Sequence, residues 1–171
     1  SSALSSVSSE LLEQYEANKE GRKDWSHAYR TGLELLGFKY EERSEPFRGA
    51  SGVTHPLLAE AVTQFQAQAF AELLPAGGPV RTEVMGKSSQ DAENQADRVR
   101  HFMNYQITSV MKEYTPEFDQ MLFYLPLSGS TFKKVYYDEF LERAVSKFVP
   151  AEQLIVPYTA TDLETAENVT H

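Results

Sequence analysis

Apolar residues recur three and four positions apart through most of this chain, then switch to every second position in its C-terminal third. Leu4, Val7, Leu11, Leu12 and Tyr15 form the first stripe and predict an amphipathic helix over 3–19, ended by Gly21. Trp25, Ala28, Tyr29, Gly32, Leu33 and Leu36 form the second, which Asp24 can cap and Gly37 stops. Residues 41–53 are charged, then glycine-rich, and read as a linker or mobile loop. Thr54 or His55 then caps a long helix that takes Pro56 in its first turn, where a missing N–H costs nothing. Its stripe is Leu57, Leu58, Ala61, Val62, Phe65, Ala69, Leu73 and Leu74, and Pro75-Ala76-Gly77-Gly78-Pro79 terminates it.

Val80–Met85 alternates apolar and polar residues and predicts a short strand. Ser89 caps the next helix, whose expected core face is Ala92, Ala96, Val99, Met103, Ile107 and Val110, with Phe102 flanking. Thr115-Pro116-Glu117 opens a further helix, expected to break at Pro126. Thr131–Tyr137 and Arg143–Val149 carry the period-two pattern of a hairpin between Gly129 and Pro150. Leu154–Val156 predicts a brief strand, and Thr161–Glu164 a cap with one helical turn. Val169-Thr170-His171 reads as the opening of another strand, so the expectation is the N-terminal part of something longer. The fold class expected is α+β, mainly helical with a small antiparallel β hairpin near the C-terminal third.

Composition narrows the functional classes. At 171 residues, 41% hydrophobic and 24% charged, the chain is ordinary for one globular domain or a fragment of a larger one. No apolar run approaches the ~20 residues of a membrane span, and the opening SSALSSVSSELLEQYE does not read as a signal peptide. Zero cysteines remove disulfides, thiolate chemistry and cysteine-ligated zinc. A net charge of −9 repels phosphate backbones and disfavours a generic nucleic-acid-binding module.

Candidate chemistry is sparse. Ala76-Gly77-Gly78-Pro79 lacks the lysine and the strand-to-helix setting of a phosphate loop. Gly49-Ala50-Ser51-Gly52 is not a nucleophile elbow. His27, His55, His101 and His171 lie far apart with no metal-ligand spacing, and surface or helix-end roles fit each. Asp138 and Glu139 are adjacent on a strand end, alternate faces and cannot share a proton. Lys133 and Lys134 beside Tyr136 and Tyr137 mix basic and aromatic residues as nucleic-acid surfaces do, but one lysine on each face of an amphipathic strand explains them better. No catalytic residue, cofactor or metal ligand is expected. Phe65, Phe70, Phe102 and Tyr105 do not all share a face and are the candidate subunit-interface residues.

Several ordered segments resemble the portal, or head-to-tail connector, proteins of tailed bacteriophages, the short-tailed type above all. They are Phe47–Val53, Glu72–Val80, Asn104-Tyr105-Gln106, Phe118–Leu122, Leu125–Ser130, Lys133–Asp138, Phe148–Gln153 and Val156-Pro157-Tyr158. These are packing and turn motifs, not catalytic ones. The residue pattern divides the chain into a helical arm (1–40), a linker (41–53) and an α+β region (54–171), which the resemblance, covering roughly 45–171, reads as wing-like and incomplete at its C-terminus. It also implies a non-enzymatic structural subunit of a homo-oligomer ring, typically of twelve copies, at the unique capsid vertex of the virion, assembled in the bacterial host cytoplasm. Duplex DNA would pass through that ring during packaging and ejection without specific binding by this segment, and terminase, capsid and tail or adaptor proteins would dock on it; no membrane is implied. Two alternatives stand beside it: a non-viral helical adaptor domain whose hairpin binds a peptide by edge pairing, and a hydrolase with a dispersed site carried by His55 and Asp119.

Overall fold

The computed structural model describes residues 2–37, 47–50 and 55–171. Its elements are α1 (Ser2–Gly21), α2 (Lys23–Leu36), α3 (Leu57–Leu73), α4 (Gln90–Tyr105), α5 (Tyr114–Ser128), β1 (Phe132–Asp138) and β2 (Arg143–Val149). The fold is α+β: among the described residues five helices precede one antiparallel hairpin, and α4 runs on into a π-helical turn at Gln106–Val110. Among the described residues no helix is long and apolar enough to cross a membrane.

The core is small and centred on α5. Leu122 of α5, Val62 of α3, Tyr29 of α2, Val145 and Val149 of β2, and Ala151 and Ile155 beyond it are the buried apolar residues. α5 meets α3 on one side and β2 on another, and α2 packs across both helices. Trp25 stacks on Tyr29 with ring centroids 5.2 Å apart, and its Nε1–H donates to the Ser128 carbonyl at 2.9 Å. That bond ties α2 to the end of α5.

Several termini differ from the sequence expectation for local reasons. α2 begins one residue before Asp24, with Arg22 at the N-cap and no side-chain cap, so Asp24 lies in the first turn facing the helix dipole. Pro56 is the N-cap of α3, not part of its first turn; Thr54 lies outside the described residues. Of the linker expected at 41–53, only 47–50 are described, as a turn closed by the Ala50 N–H on the Phe47 carbonyl.

α5 starts at Tyr114 and puts Pro116 third, still within the turn whose N–H groups have no helical acceptor. It does not break at Pro126 but runs to Ser128, where Gly129 at φ 77 caps it left-handed and donates to the Leu125 carbonyl. Ser89 caps α4 as expected, its Oγ accepting from the Ala92 N–H at 3.2 Å. The face read as the core of α4 is not buried: Ala92, Ala96, Ile107 and Val110 are half-covered, while Val99, Phe102 and Met103 are exposed.

Three short expectations are also corrected. Val80–Met85 forms no helix and joins no sheet, since among the described residues no strand pairs with it. Leu154–Val156 is reduced to a single bridge, in which Ile155 and Thr170 exchange N–H···O bonds of 2.8 Å. Thr161–Glu164 forms bends rather than a helical turn, since Asp162 Oδ1 accepts from both the N–H and the hydroxyl of Thr165.

Candidate functional site

The hairpin register pairs Phe132 with Val149, Lys133 with Phe148, Val135 with Ser146, Tyr137 with Ala144 and Asp138 with Arg143. Glu113 and Glu117, four residues apart at the start of α5, lie along the outer edge of β2. The Arg143 guanidinium donates to both Glu113 oxygens, at 2.8 and 2.9 Å, and the Ser146 N–H reaches the same carboxylate at 3.4 Å. The Phe148 N–H donates to Glu117 Oε2 at 2.7 Å. The bonds from Arg143 hold the Glu113 carboxyl below its ordinary range, against the opposing effect of burial.

A second column on the same turns is aromatic. Tyr114 and Phe118 stack with centroids 5.9 Å apart, and the Lys133 ammonium sits 3.7 Å from the first ring centre and 4.9 Å from the second. That ammonium is buried without a hydrogen-bond partner among the described residues, and burial lowers its pKa despite the nearby Glu117 and Glu113. Lys134 is exposed, with its Nζ 3.3 Å from His171 Nδ1. The two lysines therefore occupy different environments, one per face of the strand.

In an antiparallel ladder, residues facing each other alternate between pairs that exchange hydrogen bonds and pairs that do not. The N–H groups of Ser146 and Phe148 are taken by carboxylates outside the sheet, so their partners Val135 and Lys133 also turn their peptide groups outward. Tyr137, two residues on, does the same. β2 thus has a covered edge, and β1 an open one.

Arg22 organises the chain beyond the hairpin. Its guanidinium donates to the carbonyls of Ala151, Leu154 and Glu152, and lies 5.4 Å from the Trp25 ring centre. Burial lowers its pKa. Arg22, Trp25, Phe132, Val156, Pro157 and Tyr158 line an open cleft of about 330 Å³ whose walls are mostly apolar. The same neighbourhood holds Tyr29, whose hydroxyl pKa burial pushes up to about 12.

Of the interface candidates, Phe65 and Phe70 lie on α3, the first exposed and the second half-buried; Phe102 and Tyr105 are both exposed on α4. The structure adds two apolar groups: Leu4, Val7, Leu11 and Leu12 on α1, and Val135, Tyr137, Phe140 and Leu141 on the hairpin. It does not bring His55 and Asp119 together as partners. Asp119 Oδ1 accepts from Gln66 Nε2 at 2.8 Å, about two and a half helical turns along α3 from its start, and His55 precedes that start. His27 and His101 are exposed on helices, and among the described residues no group of three or more His, Asp or Glu could hold a metal ion.

Arg22 and the acidic pair were not singled out from sequence, and Lys133 was noted only together with Lys134. The signal available for the acidic pair was the spacing of Glu113 with Glu117 and of Tyr114 with Phe118, which puts two like columns on one helical face. No protein-family model matches the chain, and no curated protein matches it.

Proposed function

We propose that this chain is a structural part of a portal-type ring subunit, an assembly component that lines a route for duplex DNA and catalyses nothing. The observation that carries the reading is uncovered surface. The chain exposes 13129 Å², where a compact monomer of 19.3 kDa exposes about 8,500 Å². The excess, roughly 4,600 Å², is of the size that obligate assemblies bury. Its apolar share is organised: residues 4–14 are all exposed on α1, and α4 has no buried residue. The ordered resemblance to portal proteins, from Phe47 to Tyr158, supports the ring over other assemblies.

Duplex passage without capture is consistent with the charge of −9 and with a Lys133 ammonium held under two rings rather than offered to phosphate. In this reading terminase, capsid and tail or adaptor proteins meet the ring, and it stands at the capsid vertex of the virion. Electron microscopy of the purified protein tests it: the expected image is a closed ring with a central channel. A particle that sediments as a monomer at tens of micromolar and forms no ring overturns the proposal in favour of a monomeric adaptor domain.

A further inference from the structure

Two backbone features of this chain are each incomplete, and they are complementary. The first is the outer edge of β1, where Lys133, Val135 and Tyr137 present N–H and C=O groups with no partner among the described residues, while carboxylates occupy the opposite edge of the hairpin. Open edges of this length pair readily with another strand unless something blocks them. The second is Val80–Met85, which has a strand's alternation and no sheet.

Asn104 fixes the orientation of that segment. Its side-chain carbonyl accepts from the Val80 N–H at 2.9 Å, and its amide donates to the Val80 carbonyl at 3.1 Å. Thr82 adds a bond from its hydroxyl to the Ala96 carbonyl at 3.0 Å. Gly78 makes the approach possible: at φ +92 it passes so close to Asn104 that a Cβ there would meet the amide at 2.3 Å. In an extended chain alternate residues point their peptide groups to the same side. Arg81, Glu83 and Met85 are exposed while Thr82 and Val84 are half-buried, and in an extended course anchored by Val80 the peptide groups of those three residues would face away from α4.

We infer that the open edge of β1 is filled by the 81–85 segment of a second copy of this chain, so that neighbouring subunits share a three-stranded sheet. The inference rests on the assembly reading above and specifies its contact. Edge and strand are different surfaces of one subunit, so each copy gives a strand to one neighbour and receives one from the other. Given to one neighbour and received from another, such a heterologous contact closes into a ring or continues as a filament, whereas the same pair of contacts exchanged reciprocally between two copies closes as a two-fold dimer. The carboxylates along β2 ensure that the hairpin accepts on one side alone.

The chain has no cysteine, which allows a direct test. A Glu83→Cys chain is mixed under mild oxidation with a Val135→Cys chain or, for a register shifted by two residues, with a Tyr137→Cys chain. A disulfide-linked dimer should form in one of these mixtures, and neither in any single variant alone nor when Glu60→Cys, exposed on α3, replaces Glu83→Cys. Val135→Pro supplies an independent arm: its N–H points out of the hairpin, so helix and strand content by circular dichroism should be retained while assembly is lost. Assembly without crosslinking in either register overturns the inference and leaves the ring reading in place. A crosslinked dimer from Val135→Cys alone also overturns it, since β1 would then pair with β1 about a two-fold axis. A chain that stays monomeric and uncrosslinked overturns both.

Discussion

Lys133 carries the sharpest conflict in the molecule at the level of single residues. Its ammonium gains the attraction of the Tyr114 and Phe118 ring faces, worth up to about 2 kcal/mol when desolvated. Against this stands the loss of water by an ion with no hydrogen-bond partner among the described residues, several kcal/mol in a protein interior, and burial outweighs the nearby Glu117 and Glu113 in lowering its pKa. The stem of the side chain still packs. Lys133→Met, which keeps the stem and removes the charge, is therefore expected to hold or raise the unfolding midpoint, and Lys133→Ala to lower it. The pH dependence has a definite sign: the folded state releases the proton first, so the wild type gains stability as pH rises from the folded pKa toward the ordinary value of 10.5. The Met variant should lack that gain, and comparing the two cancels the opposite drift of the buried Tyr29. Equal alkaline profiles in denaturant titrations would remove burial of the charge from the account. Which of two adjacent lysines is buried was not legible in sequence, because the rings that decide it lie on another element.

Among elements, the hairpin was the most legible. Period-two patterning between Gly129 and Pro150 gave both strands, β2 at its observed ends and β1 displaced by one residue, because strand bounds depend on local turn chemistry. The helices were legible from their stripes, but Pro126 shows the limit: a proline in the last turn loses one bond, and the cap at Gly129 completes the helix beyond it. Val80–Met85 marks a different limit. Its alternation is a strand's, yet a strand needs a neighbour, and pattern alone cannot say whether that neighbour is in the same chain. The acidic column on β2 leads to a testable consequence for the hairpin as a unit. Glu117→Ala leaves the Phe148 N–H without its acceptor, at a cost of about 1–3 kcal/mol, whereas Glu117→Gln keeps an acceptor and should lose much less. Removing both Glu113 and Glu117 as alanines opens a second edge and should make the protein form irregular aggregates, read by light scattering at fixed ionic strength. If the double variant scatters no more than the wild type, the carboxylates bind the hairpin but do not guard it.

For the whole molecule the decisive quantity is the surface left uncovered. α1 illustrates it: its last turns are tied to the C-terminal segment through Asn18, Gln14 and Asn168, while residues 4–14 are all exposed. That exposed span is rich in serine, a poor helix former, and is near the length below which isolated helices are marginal in water. Leu4, Val7 and Leu11 nevertheless keep one face of it apolar. A helix built in this way draws its stability from whatever covers that face, which in the assembly reading is a neighbouring subunit. Replacing Val7 and Leu11 with serine should then cost the monomer little, since both side chains are more than half exposed there, and should weaken assembly measurably by sedimentation. Amide hydrogen exchange supplies the second readout: residues 4–14 should exchange quickly in dilute monomer and slowly in the assembled particle. If the double substitution instead lowers the monomer's unfolding midpoint as much as a change to buried Val62 or Leu122 does, α1 folds back on its own chain and the uncovered surface must be sought on α4 and the hairpin.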